Sequence, residues 1–225
     1  MSISKEAVLK KTVFSNSYRL IPSHFPPISF FENLLDASEL EAAYVLEGMT
    51  NDRLQDEVGN IQLVAEEDRV CGYGTSAIMA AFTHIGVESR FTKGLYGVYY
   101  AGLELETAMS ESKHSRSRLL KATNEDAQIL TMRCYKCTVD SELVDLRREP
   151  AIHAPNDFSV AQSKGESLRR SGEYGVLYQS VRKEGGQCVA IFRPKGLTPP
   201  AVQTAHYQYH WNGEAFTHVL KVEMA

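Results

Sequence analysis

The stretch from Gly94 to Ser112 constrains the fold more than any other part of this chain. Gly97-Val-Tyr-Tyr-Ala101 is a short β-branched and aromatic run, which reads as a buried strand. Directly after it, Leu105, Ala108, Met109 and Ser112 recur at helical offsets. The side-chain period therefore changes from about 2 to about 3.6 within a few residues. A strand that feeds straight into a helix requires the helix to fold back onto a sheet, which points to a layered protein containing both element types.

The remaining elements fit around that unit. Residues 12–21 read as an opening strand, ended by Pro22 and the pair Pro26-Pro27. From Ser29 to about Glu47 the apolar spacing is helical, and 50–74 is polar and loop-rich apart from 61–64. Residues 76–82 form a further helix ending around His84, and 128–136 read as a strand. A helix is expected over 157–171, capped by Asn156 or Asp157 and stopped by Gly172. Strands over 174–182 and 187–193 flank Lys-Glu-Gly-Gly, a hairpin signal, and a last strand covers 216–222. Helices fall mainly in the first third and strands alternate with them later, so the class is α+β. No internal repeat or linker divides the chain. We take residues 1–225 as one domain, with a helical insertion at about 28–85.

At 225 residues the chain is long enough to bury a full core without metals or disulfides. Its net charge of -4 and pI near 6.0 argue against a nucleic-acid surface, which needs clustered Lys and Arg. The N-terminal residues show no apolar core of a secretory signal, and no apolar run is long enough for a membrane span. Four cysteines are few for a secreted domain. The expected compartment is the cytoplasm. Cys134 and Cys137 have CxxC spacing, but on a strand they point to opposite faces, so no metal site is expected.

The candidate site residues are few. Arg90 follows a helix and a short turn, where a guanidinium can grip a diphosphate through two parallel hydrogen bonds. Taken alone it also reads as a solvated loop arginine. Tyr99 and Tyr100 share a strand and face opposite sides, so one can pack in the core while the other faces a cleft. Glu111 falls beside the inward face of its helix, where a carboxylate can stabilise positive charge developing on a ribose. Glu104 has nearly the same angular position, and periodicity does not choose between them. Ser180 and Arg182 lie on one side of the hairpin strand by alternation and can bind phosphate or ribose.

The order of these residues resembles the RES domain family, named for its Arg, Glu and Ser. The stretch from Ser89 to Glu111, SRFTKGLYGVYYAGLELETAMSE, is similar to the core motif of that family. There an Arg-aromatic pair precedes a strand ending in Tyr, and a helix with a family glutamate follows. Arg90 and Tyr100 are ten positions apart, and Tyr100 and Glu111 eleven. This spacing selects Tyr100 over Tyr99 and Glu111 over Glu104. Tyr174 to Arg182 carries the family serine over to Ser180, and Ser17-Tyr-Arg-Leu20 resembles the opening strand and carries over Arg19. The simplest family members hold that arginine much closer to the motif, whereas here 71 positions separate Arg19 from Arg90.

The resemblance implies an ADP-ribosyltransferase-like fold, with a central mixed sheet around an NAD cleft flanked by helices. It implies a toxin that breaks the nicotinamide–ribose bond of NAD, by phosphorolysis (an NAD phosphorylase) or by hydrolysis. NAD is then a substrate rather than a cofactor, and inorganic phosphate the expected co-substrate. Glu111, Tyr100 and Arg90 would be catalytic. Arg90, Tyr100, Ser180, Arg182 and Arg19 would bind substrate. The implied partner is an Xre-type helix-turn-helix antitoxin; no direct contact with nucleic acid or membrane is expected, and oligomers are compatible with the family. Two rival functions are a mono-ADP-ribosyltransferase acting on a protein and a non-catalytic binding module.

Overall fold

The computed structural model describes residues 9–23 and 59–223. The class is α+β: a seven-stranded mixed sheet and, among the described residues, three α-helices. The strands are β1 (Lys10–Pro22), β2 (Tyr99–Gly102), β3 (Gln128–Asp145), β4 (Gly175–Gln179), β5 (Gln187–Ile191), β6 (Leu197–Trp211) and β7 (Phe216–Val222). The helices are α1 (Ser76–Thr83), α2 (Leu105–Ala122) and α3 (Ser159–Arg170).

The strand order is β1-β2-β5-β4-β3-β6-β7, and β1 also pairs with β3 along its whole length, from Lys10↔Val144 to Pro22↔Met132. The sheet therefore closes on itself through two thin joints. One is the single pair Tyr18↔Gly102 between β1 and β2, and the other is the two-residue parallel pairing of Val144 and Asp145 with β4. Two broad halves result, β2-β5-β4 and β1-β3-β6-β7. The free edge of β3 is shared, by β6 along 128–139 and by β4 at its end.

Strict alternation in the three-stranded half splits its side chains between two cores. Tyr99, Leu177, Val189 and Ile191 join α1 residues such as Ile78 and Phe82. Val176, Tyr178, Cys188 and Ala190 face the other way and meet Phe91 and the α3 residues Ala161 and Leu168. A third core holds Ala108 of α2 against Leu20, Met132, Cys134 and Tyr207 from the larger half. Helix α2 thus packs at the joint of the two halves, against β1, β2 and β5, with Glu111 at the β4–β5 turn, while α3 packs on the three-stranded half.

The strand-to-helix unit and the last strand stand where the sequence places them, and the second strand of the hairpin starts at Gln187 as expected. Gly172 stops α3 with a φ of 84°, a conformation in which a side chain is strained. Three expectations differ. First, β3 runs nine residues past 136, because β1 and β6 pair with both of its edges and outweigh its polar composition. Second, α3 begins at Ser159, since Asp157 spends its side chain on the Ser159 N–H (2.9 Å) in a turn before the helix. Third, α2 and α3 are the longest described helices and lie in the second and third thirds of the chain. The helical stretch 29–47 and Pro26-Pro27 lie outside the described residues. Of the expected insertion, 59–85 holds α1 and two single 3-10 turns, Ile61–Leu63 and Glu66–Asp68.

Candidate active site

Arg90 sits on a loop that is held from several sides. The Tyr100 hydroxyl receives the Phe91 N–H (2.9 Å) and pairs with Ser89 Oγ (2.8 Å). Gln162 of α3, itself buried, donates to Ser89 O (3.1 Å) and Thr92 O (3.4 Å). The Tyr96 hydroxyl donates to Phe91 O at 2.5 Å. Gly165 lets α3 come close enough for these bonds, because a Cβ there would stand 2.5 Å from Phe91 O and 3.0 Å from Phe91 Cβ. Gly165→Ala is therefore expected to destabilise the protein by about 1–3 kcal/mol as an overpacked contact. Its helix propensity pulls the other way by about 1 kcal/mol. Urea unfolding gives the balance, and a rise in the midpoint would show that the loop yields freely.

Within this loop the Arg90 side chain is only 8% exposed. Its Nη1 donates to Ile152 O (2.8 Å) and Ala154 O (3.0 Å), and its guanidinium lies 4.9 Å from the centre of the Phe158 ring. It makes no ion pair with a described carboxylate. Two other arginines of this protein are paired with carboxylates. Arg193 clasps Asp68 through two bonds of 2.8 Å, and Arg147 clasps Asp145. Burying a cation without an opposite charge costs several kcal/mol, and two carbonyl dipoles offset only part of it. Arg90 is thus left with positive charge that an anion would complement.

Tyr99 and Tyr100 divide as alternation requires. Tyr99 is 1% exposed in the core, while Tyr100 is half-buried on the opposite face. Burial pushes the Tyr100 hydroxyl well above the usual tyrosine range, so it stays protonated. Arg19 stands apart from this group: its guanidinium lies 5.0 Å from the Tyr99 ring centre, and its Nη1 is buried without a partner. Burial lowers its pKa first, and nearby Arg116 lowers it further.

Glu111 and Ser180 meet directly. Ser180 Oγ donates to Glu111 Oε1 at 2.6 Å and accepts the N–H groups of Arg182 (3.1 Å) and Lys183 (3.0 Å). This corrects the sequence expectation that Ser180 and Arg182 lie on the hairpin strand. Strand β4 ends at Gln179, because the serine hydroxyl captures the next backbone donors and starts the turn. The hydroxyl has one proton, and that proton is committed to Glu111. Glu104, the other candidate, caps α2 outside the helix and is exposed.

One short loop, residues 152–158, gathers the cationic groups. Arg90 is held by its carbonyls at 152 and 154, and Arg182 donates Nη2 to the next carbonyl, Pro155 O. Arg118 of α2 places its guanidinium 5.4 Å from the same Phe158 ring that Arg90 approaches. His153 fastens this loop to β4, with Nδ1 bonded to Glu149 O (2.8 Å) and Nε2 accepting the Gln179 N–H (3.0 Å). The imidazole therefore works as the neutral form, which burial favours by lowering its pKa.

The structure brings Arg90, Tyr100, Glu111, Ser180 and Arg182 together, and it adds Gln162, His153, Phe158, His114 and Arg118. None of these five stands out in sequence. Only the α2 spacing 111, 114, 118 carries a signal, since it puts Glu111, His114 and Arg118 along one stripe. Cys134 and Cys137 fall in separate cores, as strand alternation requires.

The protein is thus an α+β protein whose mixed sheet carries one hydroxyl-bound carboxylate beside guanidinium groups that form no ion pair with a described carboxylate. The RES domain family model matches residues 67–212, and this chain belongs to that family. Protein y4oC of Sinorhizobium fredii (strain NBRC 101917 / NGR234) is 32% identical over 198 residues, covering 87% of this chain and 83% of that protein. A solved structure titled as the M. tuberculosis MbcT-MbcA toxin-antitoxin complex aligns over 91% of this chain and 87% of its own. Its sequence identity is 13% and the TM-score 0.47. No described helix is long and apolar enough to cross a membrane.

Proposed function

We propose that this protein is an NAD-consuming toxin enzyme that breaks the bond between nicotinamide and ribose, with inorganic phosphate as the acceptor. The observation that carries the reading is the Glu111 carboxylate, fixed by Ser180 at 2.6 Å and set beside Arg182, whose pKa it raises against the pull of burial. In the proposed reaction the C1′–N bond breaks and its electron pair neutralises the nicotinamide ring. Glu111 stabilises the positive charge that develops on the ribose. A phosphate oxygen then forms the new bond at C1′. Tyr100 offers its ring to the leaving nicotinamide, while Arg90 and Arg182 face phosphate groups; Arg19, set apart beside Tyr99, takes no part in this scheme. Ser180 orients Glu111, since its single proton is already donated there. The low cysteine count suits a cytoplasmic setting, and the family resemblance adds an Xre-type antitoxin as partner.

The test is purified protein incubated with NAD, with the products resolved by chromatography as phosphate is titrated from zero. We expect nicotinamide together with ADP-ribose-1″-phosphate, at a rate that rises with phosphate. A flat rate with plain ADP-ribose identifies a glycohydrolase and removes phosphate from the scheme. Label from NAD retained on a protein identifies a transferase. Tight NAD binding without turnover identifies a binding module and ends the enzymatic reading.

A further inference from the structure

Helix α2 presents more to the site than Glu111. His114 stands one turn further along, and its Nε2 is buried without any hydrogen-bond partner. Arg118 stands another turn on, with an exposed side chain whose guanidinium rests on the Phe158 ring. That ring also carries Arg90, while Arg182 is tied to Pro155 three residues before it. Three guanidinium groups from distant parts of the chain therefore converge on one loop. Arg118 and Arg182 form no ion pair with a described carboxylate, and Arg182 Nε is buried and unpartnered. The carboxylate of the loop itself, Asp157, is turned away to the Ser159 N–H.

Like charges do not gather this way for stability. At an effective dielectric of about 20, two cations about 8 Å apart repel by roughly 2 kcal/mol, so three of them bear a real cost. The repulsion is visible in the neighbours. The His114 pKa is lowered by burial, and then by Arg182, Arg118 and Arg90. Arg182 is lowered by burial and by Arg90 and Arg118, with Glu111 alone opposing. His114 thus stays neutral and keeps one ring nitrogen free to donate or accept.

We infer that Arg118 and His114, together with Arg182, form a phosphate subsite at the outer end of α2, beyond the Arg90 grip. Its ligand is a phosphate or diphosphate group. Phe158 serves as its floor, since a planar guanidinium stacked on a ring still has its edge donors free for an anion. The inference deepens the NAD reading and rests on it for the chemical source of the phosphate, but not for its presence.

The experiment is calorimetric titration of the full chain with inorganic phosphate, pyrophosphate and ADP-ribose, each separately. Arg118→Glu reverses one exposed charge and leaves the cores untouched. It is expected to weaken pyrophosphate by about ten- to a hundredfold, the scale of a lost charge-assisted contact. Arg170→Glu, on the exposed face of α3, should change nothing. His114→Phe keeps the ring and removes the nitrogens, and should weaken pyrophosphate less than Arg118→Glu does. Weakening of ADP-ribose would assign the subsite to the diphosphate of the substrate. Weakening of free phosphate with ADP-ribose unchanged would assign it to the acceptor, and both outcomes support the subsite. Wild-type protein that binds none of the three anions, or Arg118→Glu within twofold of wild type on all of them, overturns it. Failure of the NAD reading looks different: Arg118-dependent pyrophosphate binding would persist while NAD remained intact.

Discussion

Glu111→Gln is expected to give a folded protein whose NAD consumption falls by roughly 10²–10³, the usual loss when one well-placed electrostatic stabiliser is removed. The fold should survive for a stated reason. The glutamine amide oxygen can still accept the Ser180 proton now donated at 2.6 Å, so the turn at 180–183 keeps its bonds. What disappears is the negative charge beside the ribose. Binding of NAD should change far less than turnover, since the carboxylate serves the charge that develops in the transition state. Glu104→Gln is the control: its side chain is exposed outside α2, and turnover should match wild type. Single-turnover rates, measured with unfolding midpoints, separate the two effects. Normal turnover in Glu111→Gln would remove this carboxylate from the chemistry.

Local rules carried the sequence reading where the structure is local. The hairpin at Lys183–Gly186, the stop at Gly172 and the opposite facing of Tyr99 and Tyr100 each follow from a few neighbouring residues. The extent of β3 is not legible, because its polar second half is a strand through non-local pairing, with β1 more than a hundred residues earlier, with β6 at Thr138 and Val139, and with β4 at Val144 and Asp145. Alternation places Ser180 on a strand because it counts positions and does not see a hydroxyl taking the backbone donors of Arg182 and Lys183. For the site, spacing by resemblance selects Glu111 over Glu104, and it is Glu111 that lies against Ser180 while Glu104 is exposed ahead of α2. The residues it missed act through tertiary contacts. Phe158 matters because two arginines rest on it, Gln162 because it reaches across to Ser89 and Thr92, and His114 because three cations surround it. Nothing in the immediate sequence marks Phe158 or Gln162, and only its place on the stripe with Glu111 marks His114.

In cells, the largest effect is expected at Arg90. Wild-type protein expressed without a partner should arrest growth and empty the NAD pool, and Arg90→Ala should relieve both. The substitution removes the buried charge assigned to the proposed ligand and strands two carbonyls, Ile152 O and Ala154 O. An unsatisfied buried acceptor costs about 1–3 kcal/mol, a penalty that falls on Ile152 O more than on the part-buried Ala154 O, against a typical total stability of about 5–15 kcal/mol. A weakened but folded population is therefore expected, with the 152–158 loop loosened and its hold on Arg182 reduced. Arg90→Lys should rescue only part of the toxicity. A single ammonium can serve one of the carbonyls, yet it lacks the planar second nitrogen that would meet a phosphate. Gly165→Ala separates stability from charge, since it strains the same loop while keeping the guanidinium. At equal loss of stability it should remain far more toxic than Arg90→Ala. Growth curves, NAD levels and urea midpoints for the four proteins decide the matter. Equal toxicity of Gly165→Ala and Arg90→Ala at matched stability would reduce Arg90 to a structural residue. Growth and NAD unchanged by the wild type expressed alone would sink the toxin reading itself.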